Sequence, residues 1–419
     1  MNRRWAPFLS LETATLLSGS ANGIAMVALP WLILELTGSA SAAGTMAALV
    51  AVPTMASALL SGTIVDFVGR KAVSVFSDVA SLVSVAMVPI LDSTLGLTYA
   101  AVVLIAIAGA VFDPAGMGAR EAMLPETAER AGLRLPTANG IHEAVWGVAF
   151  MLGPGLGGLL IATVGSAATF WAAAAMFAVS IAAIAPVRIP GGSRPEREQR
   201  PDGFWSGTAE GLRFLWRDRL LRAMSLLMMA IAATYLPVEG VLLPYYFEEQ
   251  DRPGAFGAVI LAMSAGGIVG ALSYGWLAKR FTSRAIYVGG FVAVAVVFAP
   301  FALLPALPVL LPLAFLLGVV SGPINPVLNV EMQTRTPTRL RGRVVGVITA
   351  IAYAAGPLGY LLAGPIIDGA GIEVAMLAFA AAFAVLALVA MLVPALREGD
   401  RVHPGSRPGV EEAPPPRPG

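Results

Sequence analysis

The sequence predicts an all-α membrane protein. Its fold class is twelve transmembrane helices in two parallel-repeat six-helix bundles, with both termini cytoplasmic. Three observations lead there. Twelve long apolar segments follow one another, basic residues sort to alternate connections, and the second half repeats landmarks of the first at a nearly constant offset. Each span needs about 20 apolar residues to cross roughly 30 Å of hydrocarbon. The segments run roughly 9–35, 41–65, 72–92, 97–117, 137–163, 166–187, 219–247, 255–279, 284–305, 308–331, 343–366 and 371–394.

Of 27 lysines and arginines, 26 fall on one side of this arrangement. Arg3 and Arg4 precede span 1, Arg70 and Lys71 follow span 2, and Arg120, Arg130 and Arg134 follow span 4. The middle connection carries a run from Arg188 to Arg222. Lys279, Arg280 and Arg284 follow span 8, Arg335, Arg339, Arg341 and Arg343 follow span 10, and Arg397, Arg401, Arg407 and Arg417 follow span 12. Only Arg252 lies opposite. Cytoplasmic loops retain Lys and Arg, so both termini and the middle loop read as cytoplasmic. A miscounted span would scramble the parity, so the sorting also checks the count.

Composition excludes a soluble domain, with 57% apolar residues, 13% charged residues and a mean hydropathy of +0.78. The chain divides into an N-terminal bundle (1–190), a cytoplasmic linker (191–218), a C-terminal bundle (219–394) and a disordered tail (395–419), whose end, Pro404–Gly419, is rich in proline and glycine. No GxxxxGK[ST] run is present, so no ATP is expected on this chain, and the net charge of +1 does not point to nucleic acid. Without cysteine there are no disulfides or thiolate metal sites. With two histidines, no metal cluster and no nucleophile constellation, the chain does not read as an enzyme and implies no cofactor. Met1-Asn2-Arg3-Arg4 leads into a span too long for a signal-peptide core, so span 1 is expected to stay.

The repeat is carried by glycines and prolines. Leu29-Pro30 matches Leu243-Pro244 at an offset of 214, and Gly44 matches Gly257 and Gly62 matches Gly275 at 213. Pro114 matches Pro326 and Pro125 matches Pro337 at 212, and Gly153-Pro154 matches Gly356-Pro357 at 203 after a shorter connection. Six spans, an even number, separate the copies. The halves therefore share one orientation and are related by an axis along the membrane normal.

Two motifs carry a family resemblance. Gly62-Thr63-Ile64-Val65-Asp66-Phe67-Val68-Gly69-Arg70-Lys71, at the span 2–3 junction, resembles the G-x-x-x-D-x-x-G-R-K signature of the major facilitator superfamily. Its second copy is degenerate, with Lys279 at the Asp66 position, Thr282 at the Gly69 position and Arg284 matching Lys71. In span 5, Gly147 through Gly153-Pro154 to Gly157-Gly158 resembles the G-x(5)-G-P-x-x-G-G pattern of exporters and antiporters in that superfamily. The stretches Ala28–Ser39, Phe112–Pro125 and Thr336–Val344, with Asp78, are similar to a branch of drug-efflux permeases that includes macrolide and siderophore exporters. One position departs. Exporters of the wider group often carry an arginine in span 4, four residues before a glycine; counted back from Gly109 it is Ile105, and span 4 holds no basic residue. This weakens the expectation of proton exchange.

The resemblance implies that Asp66 locks one state by docking on the opposite bundle, with Arg341 and Arg343 as partners. It also implies a central cavity lined mainly by spans 1, 4, 7 and 10. At mid-depth these offer Asn22, Met26, Phe112, Met228, Tyr235, Asn325 and Asn329, with Trp146, Phe150 and Tyr353 from spans 5 and 11. Ionisable groups in a span are costly and mark function where they are deep. Asp113, His142-Glu143 and Glu239 are the deep ones, whereas Glu12, Asp78, Arg120 and Glu331 read as shallow. Asp113 and Glu143 fit two roles: sharing a proton with each other or His142, or pairing with Arg120, Arg341 or Arg343 in a gate. Glu239 fits a proton site, an amine site or an outer salt bridge. The expectation is a monomeric secondary transporter of the cytoplasmic membrane, exporting a small, largely apolar compound in exchange for protons. Metabolite uptake, facilitated diffusion, and a non-transporting receptor or scaffold remain alternatives.

Overall fold

In hydrocarbon nothing but the chain itself can satisfy a backbone N–H or C=O, so apolar segments of this length cross a bilayer as helices. A computed structural model describes residues 4–185, 204–337 and 340–401; at Gly62, Asp66, Arg341, Arg343 and Tyr353 it describes only the backbone. The first half contains α1 (Ala6–Thr37), α2 (Ala40–Val68), α3 (Arg70–Thr94), α4 (Tyr99–Ala110), α5 (Asp113–Ala131), α6 (Leu135–Val164) and α7 (Ser166–Ile184). A linker helix, α8 (Phe204–Arg217), leads into α9 (Arg219–Pro237), a π-helical turn (Val238–Leu242) and α10 (Leu243–Glu248). Then come α11 (Pro253–Leu277), α12 (Ser283–Phe301), α13 (Leu307–Ser321), α14 (Ile324–Arg335), α15 (Arg341–Ala370), α16 (Ile372–Leu392) and a 3₁₀ segment (Pro394–Arg401). Eleven stretches among the described residues are long and apolar enough to cross a membrane, and the 30-residue α15 contains the remaining expected span.

Spans 4 and 10 are each broken in the same place. Span 4 stops at Ala110 and resumes at Asp113; span 10 stops at Ser321 and resumes at Ile324, a separation of 211 residues that follows the sequence repeat. Proline at or just inside each restart removes a donor and stops the helix from running through. Two boundaries differ from expectation. Span 4 does not end near residue 117, because helix continues to Ala131 and takes Arg120 into the bundle. The tail beyond 394 is not free at its start: Asp400 accepts from Arg284 (2.9 Å) and Thr282 (2.8 Å), and Glu398 faces Arg335 (3.7 Å). Hydrogen bonds from Arg284 and Thr282 hold the Asp400 carboxyl below its ordinary value. Residues 186–203, most of them in the expected linker, and residues 402–419 of the expected tail lie outside the described residues.

The halves meet along two antiparallel pairs, α2 with α15 and α6 with α11. Glycines set the approach. A Cβ on Gly158 would fall 2.5 Å from Gly257 Cα, and one on Gly364 would fall 2.4 Å from Ser41 Cα. Following α6 against α11 towards the arginine-rich side, the contact loosens. Gly155 meets Leu261 at 3.3 Å and Gly147 meets only the Ile268 side chain at 3.6 Å, while Gly140 and Gly275, next in register, meet nothing within 4 Å. Along α6 and α11 the contact is therefore tight on the arginine-poor side and looser on the other, which the positive-inside rule makes cytoplasmic.

A Cβ on Gly254 would lie 3.7 Å from Ala162 Cβ, a spacing suited to a disulfide, and the chain has no native cysteine. Ala162→Cys with Gly254→Cys is expected to cross-link on mild oxidation and to stop transport reversibly. Gel mobility and uptake into vesicles, each with and without reductant, check this.

Candidate functional site

One face of α3 builds the site. Ser74, Ser77, Asp78, Ser81 and Ser84 recur at helical spacing and turn towards span 4 and the bundle interior. Ser84 donates to the Ile105 carbonyl (2.5 Å) and Ser77 to that of Phe112 (3.0 Å), so α3 supplies hydrogen bonds around the break in span 4. Small residues make the fit possible, since a Cβ on Gly116 would fall 2.5 Å from Ser77 Oγ.

Asp78 is the hub. Its carboxylate accepts from Arg120 of α5 (2.5 Å), Ser18 of α1 (2.9 Å) and Ser180 of α7 (2.6 Å), while Arg120 also donates to Ser74 (3.2 Å). Asp78 is 1% exposed and Arg120 2%, so their attraction acts with little water to screen it. One turn along α3, Ser81 donates to Asp113 (2.7 Å), and Asn22 of α1 lines the same cavity as that carboxylate.

Asp113 lines a cavity of about 340 Å³ among spans 1 to 6, with every wall residue in the first half. Its walls include Asn22, Met26, Thr54, Ser81, Ile105, Met117 and Phe150. A roomy, largely apolar space with a few convergent polar groups is the ordinary form of a small-molecule site.

On the outer side, Asp368 at the end of α15 caps the start of α2 in the opposite half. It accepts from Ser39 Oγ (3.1 Å) and from the N–H groups of Ala40 and Ser41 (both 3.0 Å). A carboxylate at a helix N-terminus satisfies open donors and favours the positive end of the dipole. The contact ties the two halves together on that side.

A profile described as Major Facilitator Superfamily matches residues 11–360 and, overlapping, 240–418. The chain belongs to the major facilitator superfamily. It is 42% identical over 402 residues to the multidrug efflux pump Tap of Mycolicibacterium fortuitum, covering 95% of this chain and 98% of that one. It is 43% identical to Tap of Mycobacterium tuberculosis, covering 95% and 96%. The fold is shared with the nucleoside transporter NupG (TM-score 0.75, 16% identity, 94% of this chain and 99% of that one). It is also shared with a bacterial homologue of the lysosomal transporter Spinster (TM-score 0.68, 14% identity, 97% and 100%). This major facilitator protein is therefore a multi-pass transporter of the cytoplasmic membrane that acts on a small molecule.

Its signature residues fall as follows. Gly69 has φ 105°, a conformation that favours glycine, and joins α2 to α3. Arg70 pairs with Glu126 (2.6 Å) and Lys71 donates to the Ala185 carbonyl (2.7 Å). The expected pairing of Asp66 with Arg341 or Arg343 lies outside the described side chains. In span 5, Gly153 packs on Ser20 and Gly23 of α1, Gly157 on Ile24, and Gly158 crosses to Gly257. The motif thus holds span 5 against span 1 and against the other half.

Several expected roles need correcting. Arg120 pairs with Asp78 rather than with Asp113 or Glu143, and it is buried within the bundle. Glu12 is also buried and pairs with His142 (3.1 Å), whereas Glu143 points outward and bonds neither His142 nor Asp113. Glu331 is buried with Arg335 (3.1 Å) as its partner. Phe112 packs edge-on to the exposed Phe76 and is not among the cavity walls, and Trp146 packs against Gly19. Both amides of span 10, Asn325 and Asn329, are exposed on one face of α14, as side chains facing an open cavity would be, and Met228 is half-buried against the main hydrophobic core. Glu239 accepts from Tyr235 (2.7 Å) at the π-helical turn, beside Tyr360 of α15. The sequence reading missed the serine ladder of α3, although its spacing stood in the open.

Removing one partner of a buried ion pair strands the other charge, at a cost of about 3–5 kcal/mol. Asp78→Leu and Arg120→Met are each expected to lower thermal stability in detergent strongly, and the double variant to lose less than the sum. Asp368→Ala should slow formation of the 162–254 disulfide severalfold, because the outer side then opens more often.

Proposed function

We propose that the protein exports small, largely apolar, drug-like compounds by alternating access in exchange for protons, with Asp113 as the proton carrier. The observation that carries this reading is that Asp113 lines the cavity, accepts a hydrogen bond from the neutral hydroxyl of Ser81 and has no ion-pair partner among the described residues. A carboxylate held by neutral donors can gain and lose a proton without breaking an ion pair. Arg120 is occupied by Asp78, so charge and proton duties fall on separate carboxylates. Relatives named as multidrug efflux pumps over nearly the full length support export.

In a cytoplasm-facing state, Asp113 would release its proton to that side and a compound would enter beside it. The outward-open state would reverse both steps. Asp66 and its basic partners at the start of α15 would close the cytoplasmic side, and the Asp368 cap would release. Glu239 with Tyr235 would serve as a second polar contact in the other half.

The test uses purified protein in liposomes with a pH-sensitive dye inside, an imposed proton gradient, and pools of cationic dyes and macrolide-like compounds. Compound-dependent proton flux is expected, and Asp113→Asn should abolish it while the protein still binds compound. Full proton flux in Asp113→Asn, or compound movement with no proton flux, would overturn the reading.

A further inference from the structure

The linker helix α8 has two used faces. Gly211, Phe214 and Leu215 turn inward, and Leu215 is buried among Leu221, Met332, Leu340, Val344 and Val347. The helix therefore lies against the first turns of α15 and the end of span 10. The outward face is exposed and has its own pattern. At 100° per residue, Leu212 and Trp216 form one strip, 45% and 51% exposed, and Arg213 and Arg217 form the strip beside it. Arg213, Arg217 and the adjacent exposed Arg219 have no carboxylate partner among the described residues. Arg222 folds back instead and donates to the Trp216 carbonyl (2.6 Å), which fixes the end of the helix.

We propose that the Leu212/Trp216–Arg213/Arg217 face of α8 docks on anionic phospholipid headgroups of the cytoplasmic leaflet and so seats the start of α15. The chemistry is specific to that occupant. Tryptophan favours the membrane interface, where its ring is buried and its N–H stays wet. Exposed arginines beside an apolar strip match a negative surface at the depth of the phosphates. A soluble partner would have to compete with the bilayer for the same strip, since α8 joins directly to the membrane-crossing α9 through Asp218. Because Leu215 shares a buried cluster with Leu340, Val344 and Val347, and α8 packs on α15, a lipid held outside bears on the helix that begins with Arg341 and Arg343.

Native mass spectrometry of the full chain, from micelles containing equal phosphatidylglycerol and phosphatidylcholine, tests the proposal. Wild type is expected to retain phosphatidylglycerol preferentially. Arg213→Gln with Arg217→Gln should weaken that retention by roughly 25-fold, the effect of removing two basic side chains from an anionic surface. An unchanged melting temperature would show that the variant is folded. A second readout needs no arginine variant: brominated phosphatidylglycerol should quench a component of tryptophan fluorescence that is missing in Trp216→Phe, and brominated phosphatidylcholine should quench it less. Equal retention of both lipids by wild type, unchanged retention in the folded arginine variant, or no Trp216 component in the quenching would each overturn the proposal.

Discussion

The ion pair between Asp78 and Arg120 is the constraint on which the first half depends. Three helices besides α3 reach Asp78, through Ser18, Arg120 and Ser180, so one carboxylate fixes the mutual positions of spans 1, 3, 4 and 6. That sets Ser81 of α3 against Asp113 at the break in span 4, with Asn22 of α1 in the same cavity wall. A break there would be ruinous facing lipid. It is tolerable because the serines of α3 answer the carbonyls near it and the cavity beside it has polar walls.

At the positions that match this pair, the second half packs without charge. At the repeat offsets, Phe291 stands where Asp78 does and Met332 where Arg120 does, and both are buried. The halves share breaks, glycines and topology but not chemistry. The first half carries the polar network and the described cavity; the second carries the Asp368 cap and the π-helical turn with Glu239. A transporter that rocks about its centre gains from this division, because the polar network stays intact within one half while the other moves against it.

Much of this was legible in the sequence, because a bilayer leaves few choices. The all-helical membrane fold and the matched breaks of spans 4 and 10 follow from apolar length and glycine–proline register, each of which reports a constraint on the whole chain. Asp113 was legible because a carboxylate before a proline inside an apolar span has few structural uses. The boundary of span 4 was not, since a buried arginine looks like a loop arginine until its partner is known. Glu143 failed for a related reason. His142 and Glu143 are neighbours in sequence, yet adjacent residues on a helix point about 100° apart, and only His142 faces Glu12. Phe112 and Trp146 show the same limit, because depth in the membrane does not say which way an aromatic ring turns.

The hub also has a history within each molecule. Asp78 and Arg120 are 42 residues apart, so at about 5–20 residues per second the ribosome delivers the cation some 2–8 s after the anion. During that interval α3 sits at the insertion machinery with a carboxylate whose strongest partner has not been made. Ser18 is already made on α1, so a hydrogen bond from its hydroxyl is open to that carboxyl group before the arginine arrives. Membrane insertion of this chain is thus a timed event, and codon-level pauses between α3 and α5 would lengthen its most exposed moment.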